Sequence, residues 1–165
     1  MCRELIDEAL STGRPEPLEK ACEQMYPPVR YVVAHLAPGP VEDIDQRVTK
    51  VFREAVTRVW RADAGVSFRI TLAAATHTVC REHPGLRPLP DDDVLIYRDR
   101  ASQALMRMVP NQREMILLSA LFGLSGAEIA EVMHFAEAEA LDMIRKADRL
   151  YSVRLAAVPQ WSTGD

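Results

Sequence analysis

The sequence predicts an all-α fold of two small helical domains, residues 1–83 and 94–165, joined by a proline-rich linker at 84–93. Three observations carry this reading. Apolar residues recur at intervals of three and four over long stretches, while the two-residue alternation of half-buried strands is scarce. Pro84, Gly85, Pro88 and Pro90, followed by Asp91-Asp92-Asp93, cannot continue a helix and favour an extended, solvated chain. A chain of 165 residues, 48% hydrophobic and 27% charged, has a globular balance and room for two units that gain from packing together.

Element by element, Met1 to Leu10 forms a short helix before the Gly13, Pro15, Pro17 punctuation. A second helix from Pro28 to Leu36 is closed by Pro38-Gly39-Pro40. From Val41 to Trp60 the residues Ile44, Val48, Val51, Phe52, Ala55 and Val59 make one apolar stripe, with Asp43, Gln46, Arg47, Lys50 and Arg53 placed largely elsewhere. Trp60 itself is expected in the core, and Trp161 in a polar tail. Phe68 to Glu82 follows as a helix whose stretch Ile70 to Val79 is small and, apart from His77, uncharged, which suits close helix packing. Beyond the linker, helices are expected from Val94 to Met108 and from Pro110, a residue suited to a first turn, to the stop at Gly123.

Ser125-Gly126-Ala127-Glu128 then reads as a capping box, the serine accepting from the glutamate amide while the glutamate reaches back to the serine amide. The helix it opens carries Ile129, Ala130, Val132 and Met133 inward, breaks at His134 to Ala136, and yields to a longer helix from Glu137 to Leu155. Short helix, three-residue turn and longer helix make a helix-turn-helix, in which the second helix can be presented to a major groove; a plain helical hairpin would show the same spacing.

Charge narrows the function. Lys plus Arg number 20 against 24 Asp plus Glu, a net of −4, which argues against strong non-specific binding to nucleic acid or to an anionic membrane. Cys2, Cys22 and Cys80 are odd in number and far apart, as in a reducing compartment. Glu4, Asp7 and Glu8 stand where a secretory signal needs a basic start, and no stretch approaches 18 apolar residues, so a cytoplasmic protein is expected.

Leu105, Met108-Val109-Pro110, Arg113-Glu114, Leu117-Leu118, Gly123-Leu124-Ser125 and Glu128 to Met133 resemble domain four of the extracytoplasmic-function (ECF) sigma factors. Tyr26 to Leu36, Glu42 to Gln46 and Phe68-Arg69 are similar, in order and spacing, to domain two of that family. The resemblance implies a non-enzymatic subunit without cofactor, metal or small-molecule substrate. It would dock on core RNA polymerase through domain two and direct promoter recognition, domain two reading the −10 region and domain four the −35 region. Asp43, Gln46, Arg47, Lys50 and Arg53 would then be the polymerase contact, and the second helix of the C-terminal pair the DNA reader.

The sequence departs from the family where DNA would be touched. Where the reader helix commonly shows Thr, Val, Lys, Ser and Arg in succession, this chain has Glu139, Ala140, Leu141, Asp142 and Met143. Over Glu137 to Leu150 four acids face three bases, Arg145, Lys146 and Arg149, which are the remaining DNA-binding candidates and lie late on the helix. A helix of that charge gains little counterion release. After Phe68-Arg69, Thr71, Ala74 and Thr78 replace the family's Trp, Arg and Asn, and Glu82 its Asp, removing stacking and cation contacts for a splayed base. Leu141 and Met143 admit two readings: core, with Ile144 and Tyr151, or an exposed apolar strip that binds another protein. The second reading resembles the sigma-like domains of stress-response regulators, which hold an anti-sigma factor instead of DNA.

Other chemistry is thinly represented. His77, Cys80 and His83 recur at threes, but the third has drifted round the helix and no second pair completes a tetrahedral set. Cys80 is expected buried, and His35 and His134 to serve packing or surface roles. The aspartate run at 91–93 reads as solvated, and no phosphate-cradling loop or nucleophile motif occurs.

Overall fold

The computed structural model describes residues 16–61, 67–82 and 99–158, which form seven α-helices and no strand. These are α1 (Glu16–Leu36), α2 (Val41–Arg61), α3 (Phe68–Glu82), α4 (Arg100–Met106), α5 (Pro110–Phe122), α6 (Gly126–Met133) and α7 (Glu137–Ala157). The expected helix at Met1–Leu10, the expected linker and Trp161 lie outside the described residues.

Helix α1 begins at Glu16, well before the expected start at Pro28, and contains both Pro27 and Pro28. Proline deprives the i−4 carbonyl of its donor. Pro27 and Glu23 are both exposed, however, so the carbonyl of Glu23 lies where water can reach it. What holds the helix across the pair is burial: Leu18, Ala21, Val29, Val32 and Val33 recur along one side and are nearly all fully covered.

Helix α2 has the expected stripe, with Ile44, Val48, Val51, Ala55 and Val59 buried, Glu42 and Asp43 in its first turn and Arg58 and Arg61 in its last. Trp60 does not join the core. It is 46% exposed, because it adjoins Val59 in sequence and so stands about 100° round the helix from the buried stripe. Helix α3 packs on α2 and buries Phe68, Leu72, Ala75 and Val79, and the hydroxyls of Thr71, Thr76 and Thr78 bond back to carbonyls four residues earlier. Cys80 is buried as expected, and burial, with Glu114 nearby, pushes its thiol up to about 12, which disfavours the thiolate.

Helix α4 starts at Arg100 and not at Val94. Asp99 is its N-cap, in extended conformation, and accepts from the amide of Ser102 at 2.8 Å, so no helix can pass through it. Pro110 opens α5, and Gly123, in the left-handed region at φ 62°, closes it. Residues 113–118 of α5 are buried without interruption, so this helix is covered on every side. It packs on α1, α3, α6 and α7 and thereby joins the two halves of the chain around one apolar core.

The capping box at Ser125 forms as expected: Glu128 Oε2 accepts from the Ser125 amide at 2.7 Å and Ser125 Oγ from the Glu128 amide at 3.3 Å. Those bonds, opposed by partial burial and aided by Arg69, hold the Glu128 carboxyl below its ordinary value. Helix α6 ends at His134, whose φ of 59° puts a side chain in the left-handed region. That costs roughly 1 kcal/mol relative to glycine. His134→Gly is therefore expected to stabilise the chain by about that amount, read as a higher urea midpoint with an unchanged slope.

Candidate protein and nucleic-acid interfaces

Helices α6 and α7 pack together as a helix-turn-helix, with α7 leaning also on α4 and α5. Ala140 and Ala147 are its fully buried residues, so the packed side of the reader is narrow. The outward side shows Glu137, Glu139, Asp142, Arg145, Lys146, Asp148 and Arg149, all exposed. Asp142 takes Lys146 at 2.6 Å and, with Arg145 and Arg149 also near, has its carboxyl held below the ordinary value. Arg145 Nε donates to the Leu141 carbonyl at 3.2 Å. The three candidate bases thus share one exposed surface, one of them engaged by a carboxylate of the same helix.

Leu141 falls between the two readings given to it. It is 41% exposed, yet its side chain lies against Gly126, where any Cβ would collide with Leu141 Cδ2. Gly126 is what lets α7 approach the start of α6. Met143, Ile144 and Tyr151 are half-buried against the core, so Met143 leaves no broad apolar strip beside Leu141.

On α2, Asp43, Gln46 and Arg53 are exposed and lie on one side with half-buried Lys50. Lys50 pairs with Glu82 on α3 at 2.7 Å. Arg47 is half-buried and donates to the Ala37 carbonyl at 2.8 Å, fastening the α1–α2 turn, so its guanidinium serves the fold. The α2 group and the Leu141–Met143 group therefore stand on different elements and are not brought into one patch by any contact the structure shows.

A set of residues that the sequence reading passed over joins the two halves. The Arg113 guanidinium, on a residue only 8% exposed, donates through Nη1 to His35 O at 2.6 Å, through Nε to Leu105 O at 2.9 Å and through Nη2 to Met108 O at 2.9 Å. These carbonyls sit at the C-terminal ends of α1 and α4, where the helix dipole is negative, so a cation is favoured there without a carboxylate. Tyr31, stacked on His35 with ring centroids 4.1 Å apart, meets Ser102 Oγ at 2.9 Å. On α3, Arg69 donates to Gly123 O at 2.9 Å and to Glu128 Oε1 at 2.7 Å, His77 Nδ1 lies 2.7 Å from Glu114 Oε1, and Arg81 reaches Asn111 and Glu114. The sequence carries little signal of this: Arg113-Glu114 follows polar Asn111-Gln112 and directly precedes the apolar run Met115 to Leu118, so the pair reads as the polar first turn of a helix.

His35 is fully buried, and its Nδ1 donates to the Tyr31 carbonyl at 2.7 Å. Burial pushes the imidazole below its ordinary value; the Tyr31 bond and Asp99 oppose this, and Arg113 adds to it. The unfolded chain therefore binds the proton more readily. Stability from this group is full above the ordinary value of about 6.5 and is lost as pH falls through the lowered one. The melting temperature is expected to drop between about pH 7.5 and about pH 5.5, and His35→Gln, with no imidazole to charge, to flatten that drop.

Residues 98–140 match the family model for sigma-70, region 4. Among solved structures the chain is similar to CnrH, seen in complex with the cytosolic domain of CnrY, with TM-score 0.73 and 22% identity over 95% of this chain and 98% of that one. The fold is sigma-like. It is similar also to PhyRSL from Sphingomonas sp. Fr1, in complex with NepR, with TM-score 0.57 and 17% identity over 83% of this chain and 88% of that one. No curated protein matches the chain. The region-4 match spans α4, α5, α6 and the first turn of α7. Among the described residues no helix is long and apolar enough to cross a membrane.

Proposed function

We propose that the chain is a sigma-factor-like regulator of transcription that acts through protein contacts, engaging core RNA polymerase and an anti-sigma protein, with at most weak reading of promoter DNA by α7. The observation that carries this is the exposed side of the reader helix, where Glu137, Glu139, Asp142 and Asp148 outnumber Arg145, Lys146 and Arg149. A reader of that composition releases few counterions on meeting phosphates. The exposed Asp43, Gln46 and Arg53, with Lys50 beside them, offer a polar side of α2 for polymerase. Leu141, wedged at Gly126 but 41% exposed, is the apolar contact for a protein partner, and Met143, half-buried on another side of α7, contributes less.

Both similar structures are complexes with a second protein, CnrY in one and NepR in the other, which supports a protein-binding surface in either reading; the second reading is a mimic that holds an anti-sigma factor without binding DNA. The chain tagged and recovered from its native cell separates the two. A sigma factor brings core polymerase subunits, and the pair retains promoter DNA with affinity that falls steeply with salt. A mimic brings a small helical protein and no DNA complex. Recovery of neither class of protein would refute the proposal.

A further inference from the structure

Helix α1 is built as two unlike halves on either side of Pro27-Pro28. Neither proline has an amide to give to the carbonyls of Glu23 and Gln24, and each ring crowds the carbonyl four residues back. Burial divides at the same place. Beyond the pair, Val29, Val32, Val33, Ala34 and His35 are fully covered. That half is pinned at the seam with α4 and α5, where Tyr31 meets Ser102 Oγ and His35 O takes Arg113. Before the pair, Pro17, Leu18 and Ala21 are the buried residues, while Glu16, Glu19, Lys20, Glu23 and Tyr26 are exposed.

The first half lies along α2. Arg30 pairs with Asp45 at 2.8 Å, and the Tyr26 ring stacks on Phe52 with centroids 6.4 Å apart while its hydroxyl donates to Asp45 at 3.3 Å. The two helices therefore run antiparallel, and the same register carries Glu16 to the last turn of α2. Tyr26 is the residue just before the prolines, and its exposure lets water compete for its bond and stack. On α2, Phe52, Val56 and Trp60 recur at fours, the first two half-buried and Trp60 exposed. Arg53 precedes Trp60 by seven residues, two turns less about 20°, so this apolar row borders the side that carries Gln46 and Arg53.

We infer that residues 16–26 are a strap that opens at Pro27-Pro28 independently of the rest of the fold, and that its opening enlarges the side of α2 offered to RNA polymerase. The regulatory half rests on the sigma-like reading above; the hinge does not. The strap buries few side chains, and the helical ladder lacks two bonds at its boundary, so a local opening leaves the second half of α1 in place. Opening also relieves the crowding of each ring on its carbonyl. It withdraws Tyr26, the latch, from Phe52 and Asp45. The row from Phe52 to Trp60 then joins Gln46 and Arg53 in one continuous outward side.

Amide exchange of the full-length chain, read by mass spectrometry, tests the hinge. Residues 20–26 should exchange roughly a hundredfold or more faster than 29–36, with the step at the proline pair. Pro27→Ala/Pro28→Ala supplies the two ladder bonds and should slow exchange of 20–26 roughly tenfold or more. Tyr26→Ala, which removes the latch, should speed it roughly threefold or more. His134→Gly, which stabilises the chain elsewhere, should leave 20–26 as they are, because a local opening breaks nothing in α6. If the double variant does not fold, Pro27→Ala gives the same test with a smaller change. The strap is overturned by equal protection of the two halves in the wild type, by alanines that leave exchange unchanged, or by slowing of 20–26 in His134→Gly.

Affinity of each chain for core RNA polymerase tests the regulation. The alanine pair should bind roughly threefold or more weaker than wild type, and Tyr26→Ala tighter, since apparent affinity follows the open fraction. Loss of a direct contact would not give such opposite movements. Affinity that does not follow exchange refutes the regulation and leaves the strap standing. No binding by any of the chains refutes the sigma-like reading, and the regulation with it, and the strap is then judged by exchange.

Discussion

Arg113→Met is expected to cost roughly 3–5 kcal/mol of folding stability, the largest loss from any single change at the seam. The guanidinium satisfies His35 O, Leu105 O and Met108 O, and all three bonds are buried. Methionine fills much of the volume but donates nothing, so His35 O and Met108 O lose the guanidinium where water cannot replace it, and Leu105 O keeps only the Met108 amide. Arg113→Lys is expected to recover little. An ammonium is a compact donor at one point, whereas these carbonyls lie on two helices and call for a planar fork. Urea denaturation of the two variants checks this, and a lysine variant as stable as wild type would show that charge alone, and not the shape of the fork, holds the seam.

The same residue shows what could be read in the sequence. Periodicity placed α2, α3, α5 and the helix-turn-helix to within a residue or two, because each has either a clean apolar stripe or a strong stop: Gly123 for α5, the Ser125–Glu128 box for α6. It misplaced the start of α1, where the rule that proline ends a helix lost to a buried face from Leu18 to Val33, and of α4, where a side-chain cap at Asp99 fixes the first turn. Of the candidate site residues, Asp43, Gln46 and Arg53 on α2 and Arg145, Lys146 and Arg149 on α7 were legible as outward-facing by the same periodicity, whereas Leu141 and Met143 stayed open between core and surface. Arg47 was not: its role depends on the Ala37 carbonyl, a backbone group with no trace in the residue pattern. The seam was hidden for a related reason. Arg69, His77 and Arg81 look like a solvated row on α3 until the partner helix is known, and long-range pairings such as His77 with Glu114 have no local signature.

Glu137→Lys/Glu139→Lys/Asp142→Lys is expected to give the largest change in function. The wild-type reader helix carries a net charge of −1 over Glu137 to Leu150, and each of these three residues is exposed. Reversing them adds three cations that can displace counterions, and it also frees Lys146 from Asp142. With a slope of about 0.9 per phosphate contact, three new contacts make affinity for duplex DNA fall by roughly a further 40-fold between 50 and 200 mM salt, the mark of strong binding at the low end. The change opposes the helix. Glu137 and Glu139 sit in the first turn of α7, which has no side-chain cap, and lysines there lose about 0.3–1 kcal/mol each against the dipole. Stability should therefore fall while DNA affinity rises, an opposite movement that a merely loosened protein would not show. Fluorescence anisotropy with a labelled duplex across salt, beside thermal melts, measures both. If the triple variant binds DNA no better than wild type at low salt, the outer side of α7 does not meet a groove in this protein, and its acids are then a partner surface and not a damaged reader.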